Sequence, residues 1–155
     1  MIRDGSWNVH ARDRPRHDTG DFVSSGCERA GGWAIQNEPE IHFGAEVLVP
    51  DVAGWRLSVA DPFADMSMAY FTIVPQWVCE VLSKSTAKKD RDKKLPIYAD
   101  AGVEHAWLID LQRRMIEVFA LREERYHRIQ LHEGPGSFSA EPFEAAVDTR
   151  SLWVS

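Results

Sequence analysis

Two short apolar runs each contain an acidic residue among apolar neighbours, and this feature restricts the possible folds most strongly. The run "AEVLVPDVAGW" contains Asp51, and the run "WVCEVLS" contains Glu80. The second run is apolar at both alternating positions, which is typical of a strand covered on both faces of a sheet. An ionised carboxylate in such a strand is costly unless a cation or hydrogen-bond donors compensate it. The sequence therefore predicts a buried sheet in which the two acids need partners.

The rest of the chain indicates a mixed α/β sheet with few helices. Residues 86–101 have helical spacing, with an apolar stripe of Leu95, Tyr98 and Ala101. Gly102 is a natural stop, and Pro96 should kink this helix or split it in two. The runs "HAWLIDL", "RMIEVFALR" and "YHRIQLHE" follow and are typical of strands, the last two with alternating apolar residues. Strands, one helical segment and further strands together predict an α+β arrangement, a mixed sheet with few helices.

Composition limits the class of protein. A chain of 155 residues fits one domain, and a formal net charge of −6 excludes a generally basic, DNA-coating protein. The two cysteines lack metal-type spacing, so we expect a reducing, cytoplasmic location. No apolar run reaches transmembrane length, and we expect no membrane contact. Residues 1–32 show no helix or strand period and predict an irregular, or truncated, N-terminal segment before a domain at 33–155.

The two acids suggest a metal site. If their strands are neighbours, a strand spacing of about 4.8 Å lets Asp51 and Glu80 share one hard divalent cation, Mg²⁺ or Mn²⁺. In the plainer alternative, Glu80 points to solvent and Asp51 only turns a loop. Spacing alone favours the plainer alternative.

A basic segment directly follows the Glu80 strand. Six basic residues stand within 84–94 against Asp90 and Asp92, which inverts the acidic balance of the chain. Such a segment suits a polyanion backbone, with Lys88, Lys89 and Arg91 as candidate phosphate-binding residues. A solvated helix face is the alternative and is the commoner reading of charge runs in general. Because the segment leaves the strand of Glu80, its first turn must lie at the same sheet end as that acid.

The runs "VPDVAGW", "WVCEVLSKSTAKKDRDKK", "YADAGVEHAWLID" and "IEVFAL" resemble the Uma-type restriction endonuclease family, a branch of the PD-(D/E)XK nuclease superfamily. The resemblance extends from about Trp33 to Trp153. It implies a restriction-endonuclease-like fold, in which helices flank a central mixed sheet. It also implies Mg²⁺- or Mn²⁺-dependent cleavage of nucleic acid, with DNA favoured. It also implies that Asp51 and Glu80 bind the metal and that both, with Lys94, are catalytic.

This chain departs from the superfamily pattern at the catalytic lysine and in the N-terminal segment, and the pattern leaves the identity of a third acid undecided. The catalytic lysine usually stands two residues after the acid, where this chain has Leu82; the resemblance moves it to Lys94, with Lys93 as competitor. Glu38 is a possible third acid. Residues 1–32 do not resemble the usual N-terminal helix and strand of the family. The alternative function is therefore an inactive domain that binds nucleic acid or protein and does not cleave. A homodimer would let two sites cut two strands.

Overall fold

A seven-stranded mixed sheet forms the centre of the fold. The computed structural model describes residues 27–65 and 67–153. In chain order the strands are β1 (Cys27–Ala30), β2 (Trp33–Asn37), β3 (Ile41–Phe43), β4 (Glu46–Leu48), β5 (Val52–Arg56), β6 (Trp77–Leu82), β7 (His105–Asp110), β8 (Met115–Arg122), β9 (Arg125–Glu133), β10 (Ser137–Phe138) and β11 (Val147–Asp148). The central sheet has the order β1-β2-β5-β6-β7-β8-β9. The expected mixed sheet is confirmed.

One parallel pair interrupts an otherwise antiparallel sheet. β6 and β7 run parallel, whereas every other neighbouring pair in the central sheet is antiparallel. A parallel pair needs a crossover connection, and the chain between these strands supplies it as the helical segment. β3 with β4 and β10 with β11 form two separate two-stranded sheets. The basic segment is therefore part of the crossover that starts at the end of β6.

The crossover is helical but not uniform. It consists of α1 (Ala87–Lys89), a π-helical segment (Asp90–Lys94) and α2 (Leu95–Ala101), and α2 ends at Gly102 with φ 84°. Pro96 lies in the first turn of α2, where its missing N–H is tolerated, and the helical segment divides just before it, which is one of the two outcomes expected of this proline. The irregular turn comes just before it. π-helical turns occur often at functional sites.

The composition of the apolar run 45–55 suggested one continuous strand, but the structure divides the run. It divides into β4, which pairs with β3, and β5, which joins the central sheet. Pro50 lies in the break, and a proline cannot donate to a strand ladder. The division places Asp51 immediately before β5, at one end of the central sheet.

Two apolar cores cover the two faces of the sheet. On one face, Trp77 and Trp107 pack with Phe138 and Trp153 from the C-terminal segment, which ends in a 3₁₀ helix at Arg150–Trp153. On the other face, Val78 packs with Tyr98 of α2 in the second core. Because side chains alternate along a strand, Glu80 lies on the same face as Val78, under the helical crossover.

The N-terminal boundary differs from the sequence prediction. Residues 27–30, assigned above to an irregular segment, form β1 in antiparallel register with β2, and Gly31 and Gly32 adopt φ values of 57° and 79° in the turn between them. The predicted irregularity of residues 1–26 lies outside the described residues. Within the described part of the chain, no helix is long and apolar enough to cross a membrane.

Candidate active site

Asp51 and Glu80 lie at the same end of neighbouring strands. β5 and β6 pair with Val52 opposite Cys79, so one further step of the same register brings Asp51 opposite Glu80. The carboxylate of Asp51 accepts a hydrogen bond of 2.6 Å from the backbone N–H of Val81, the residue after Glu80. The split of the apolar run at Pro50 thus positions Asp51 beside Glu80.

Glu80 is a buried carboxylate with strong hydrogen-bond partners. Only 2% of the residue is exposed. The ammonium of Lys94 lies 3.1 Å from each of its two oxygens, and the hydroxyl of Tyr98 donates to Oε1 at 2.6 Å. These donors offset part of the cost of burying the charge. The plainer alternative, with Glu80 on a solvent-facing surface, is therefore wrong.

The surroundings of Glu80 shift its protonation. Burial raises the pKa of Glu80 from 4.5 to about 7, although the ammonium of Lys94 and the hydrogen bond from Tyr98 act in the opposite direction. The negative charge of Asp51 raises it further. An acid that is half protonated near neutral pH in the protein alone is fully ionised when a cation binds it, which couples metal binding to proton release.

Lys94 lies between two carboxylates. Besides Glu80, its ammonium contacts Oδ1 of Asp90 at 3.2 Å, and Asp90 is itself buried. Burial alone lowers the pKa of Lys94, but Glu80 and then Asp90 outweigh it, so its pKa is raised and the side chain stays charged. Lys93, the competitor in the sequence, is exposed. The geometry brings Lys94, and not Lys93, to Glu80.

Neither the contact of Asp90 with Lys94 nor the hydrogen bond from Tyr98 to Glu80 was predicted from the sequence. Tyr98 was assigned to an apolar stripe, yet its hydroxyl reaches Glu80. Asp90, Lys94 and Tyr98 are spaced four residues apart, and residues at this spacing share one face of a helix. That spacing was the available signal.

The other predicted site residues do not contact Glu80: they are either exposed or paired with another residue. Lys88 and Lys89 are exposed on α1, whereas Arg91 is partly buried and forms an ion pair with Glu117 of β8. Glu38 is exposed, and its backbone N–H donates to the carbonyl of Asp51 at 2.9 Å. Among the described residues, no three His, Cys, Asp or Glu side chains converge to hold an ion. The carboxylate of Glu38 is therefore not part of a preformed three-acid cluster.

Another buried carboxylate, Glu117, was also not predicted as a site residue and lies in the same row of the sheet as Glu80. Glu80 is opposite Leu108 on β7, and Leu108 is opposite Glu117 on β8. Arg91 reaches Oε2 of Glu117, and Arg128 of β9 reaches Oε1 at 3.1 Å. The signal was the one used for Glu80, an acid inside the apolar run "MIEVFAL".

The fold is an α+β domain built on a central mixed sheet, with Asp51 and Glu80 at one end of neighbouring strands. The crystal structure of a "putative nuclease belonging to DUF820" from Anabaena variabilis has the same fold, with a TM-score of 0.61 and 20% sequence identity, over 79% of this chain and 68% of that chain. The family model described as "Uma2: Putative restriction endonuclease" matches residues 21–150. The chain belongs to this family, as the sequence motifs indicated. A comparison with curated proteins found no match.

Proposed function

We propose that this chain is a divalent-metal-dependent endonuclease that hydrolyses phosphodiester bonds, with DNA as its substrate. The observation that carries the proposal is the position of Asp51, directly before β5, beside Glu80 of β6, with the ammonium of Lys94 3.1 Å from both oxygens of Glu80. Membership of a family described as restriction endonucleases supports the same reaction class.

The donor set at this sheet end fits a small divalent cation. Two carboxylates on adjacent strands provide hard oxygen ligands, and Mg²⁺ is typically held by one or two carboxylates, with water and substrate phosphate completing its shell. Asp51 and Glu80 would hold Mg²⁺ or Mn²⁺. When bound, such an ion polarises a phosphoryl oxygen and makes water a better nucleophile.

The chain's own residues supply the remaining functions. Lys94 carries a positive charge next to the acids and stabilises the negative charge that develops on the attacked phosphate. Asp90 and Tyr98 orient Lys94 and Glu80 through the contacts described above. Leu82, at the usual position of the superfamily lysine, is buried and apolar, so the crossover helix supplies the cation instead. Lys88 and Lys89, exposed on α1, attract the substrate backbone.

The metal-ligand assignment is tested by Asp51→Asn and Glu80→Gln. Both variants should lose Mg²⁺ and Mn²⁺ binding by calorimetry and should no longer nick supercoiled plasmid. Exposed Glu46 on β4 provides a matched control, Glu46→Gln, which should bind metal and cleave like the unaltered protein. Equal metal affinity in all four proteins would show that the two acids are not ligands. An RNA substrate of the same sequence, assayed in parallel, tests the choice of DNA.

The alternative is a nuclease-like domain that binds nucleic acid or protein without cleaving it. Its outcome is distinct: DNA binding persists, but no cleavage occurs with Mg²⁺ or Mn²⁺. The homodimer proposed from the sequence is checked by light scattering on the same samples, where a monomer mass with double-strand cleavage would contradict it. β1 and β9 are the edge strands of the central sheet that such a dimer could use.

A further inference from the structure

Arg91 and Arg128 meet at one buried carboxylate beside the proposed metal site. Arg91 is in the π-helical segment of the crossover, whereas Arg128 is on the edge strand β9. Each guanidinium binds a different oxygen of Glu117, whose side chain is 9% exposed. We propose that the two arginines form a clamp for a substrate phosphate, with Glu117 as the residue that positions them. The inference rests on the proposed function and adds Arg128 and Glu117 to its machinery.

The charges around Glu117 leave a positive excess. One carboxylate needs one cation for neutrality, yet two guanidiniums face it, and within the described chain neither arginine pairs with another acid. A single arginine would be enough to stabilise the buried charge. The second arginine gives the cluster a net positive charge, which an anionic ligand would balance.

Both arginines keep donors available to solvent. A guanidinium has five N–H donors in a planar fork, and the contact with Glu117 uses only one nitrogen of each. The side chains remain 37% exposed for Arg91 and 49% for Arg128. A guanidinium fixed in this way can present its outer edge to a phosphate and form paired hydrogen bonds. Being held by Glu117, it loses less side-chain freedom on binding.

The position of the clamp fits a flanking phosphate rather than the one that is cut. Glu117 lies two strands from Glu80 in the same row, which corresponds to a backbone separation of about 9.6 Å. The clamp would therefore contact a phosphate beside the one that is cut, on the side of β9.

A purely structural role predicts a different result, which makes the clamp testable. If the arginines only tether the crossover to the sheet, their loss lowers stability and leaves DNA affinity unchanged in the protein that still folds. If they bind phosphate, their loss weakens binding and lowers its dependence on salt, because each lost phosphate contact reduces the slope of log K against log salt by about 0.9.

The test measures binding of a fluorescent DNA duplex by anisotropy, in EDTA so that no cleavage occurs, at several salt concentrations. Arg128→Gln should bind about tenfold more weakly at low salt, with a slope smaller by about 0.9. Arg128→Lys should keep the slope but lose affinity, because an ammonium cannot form the paired bonds. Arg125→Gln is the control: it removes the same charge from an exposed position on the same strand.

The outcomes separate the clamp from the reaction. Affinity and slope of Arg128→Gln equal to those of Arg125→Gln would overturn the clamp, as would a wild-type protein that binds no DNA. Arg91→Gln should match Arg128→Gln in slope, and urea unfolding verifies that both variants are folded. If wild-type protein cleaves plasmid but Arg128→Gln binds DNA normally, the proposed nuclease activity is supported and the proposed clamp is refuted. If Arg128→Gln binds DNA more weakly but wild-type protein does not cleave with any metal, the proposed clamp is supported and the proposed nuclease activity is refuted.

Discussion

Replacing Glu80 with glutamine should change how the stability of the protein depends on pH. The folded protein holds this carboxyl with a pKa of about 7, mainly because it is buried, compared with 4.5 for an ordinary glutamate. The folded state therefore binds the proton more tightly than the unfolded state does. Its contribution to stability is fully present below pH 4.5 and is lost as the pH rises through about 7.

The size of the effect follows from the two pKa values. Each tenfold change in proton affinity corresponds to about 1.4 kcal/mol, so ionising Glu80 should lower the free energy of unfolding by about 2–3 kcal/mol between pH 5 and pH 8. Glutamine does not titrate and removes this loss. Its altered hydrogen bonds to Lys94 and Tyr98 change stability by an amount that varies little with pH, since Lys94 stays charged over this range.

Urea unfolding in EDTA at pH 5, 6, 7 and 8 measures the difference directly. The gap in unfolding free energy between Glu80→Gln and wild type should shift by about 2–3 kcal/mol in favour of the variant from pH 5 to pH 8. The control Glu46→Gln should show a gap independent of pH. Parallel stability curves for wild type and Glu80→Gln would refute the idea that burial makes the ionised form of Glu80 costly.

Two further predictions concern the sheet and the lysine. Gly54→Ala places a Cβ 2.9 Å from Cδ1 of Ile35, so thermal unfolding should show a loss of about 1–3 kcal/mol; an unchanged melting temperature would mean that the core adjusts freely. Lys94→Met removes the ammonium that contacts both oxygens of Glu80. It should therefore tighten Mn²⁺ binding by calorimetry while lowering cleavage by about 10²–10³, and weaker Mn²⁺ binding would contradict this.

The class of fold followed from the sequence because the apolar pattern is strong in the sheet. β6 is buried at every position, and β8 and β9 were recognised by their alternation. The exact boundaries of the strands and helices did not follow from the sequence, because they depend on single residues whose effect is decided by tertiary packing. Pro50 split one apolar run between two sheets, and the π-helical turn before Pro96 has no signal in residue type. β1 was missed because four residues next to a glycine pair carry too short a pattern.

The candidate site was only partly predictable. Acids inside apolar runs and the family resemblance led to Asp51 and Glu80, and the resemblance led to Lys94. Tyr98 was assigned to the apolar core because an aromatic residue at helical spacing is usually core, and its hydroxyl partner is set by tertiary packing. The link between Glu117 and Arg128 depends on which strands are neighbours at the sheet edge, information that a local pattern does not contain.

The most direct test is anomalous diffraction from crystals soaked in Mn²⁺. The proposal predicts one strong peak between Asp51 and Glu80, with an oxygen of each carboxylate at about 2.1 Å, and no peak there in Glu80→Gln crystals soaked in the same way. Well-diffracting crystals with no anomalous density between the two acids, or with Mn²⁺ bound only elsewhere on the molecule, would contradict the metal-dependent mechanism.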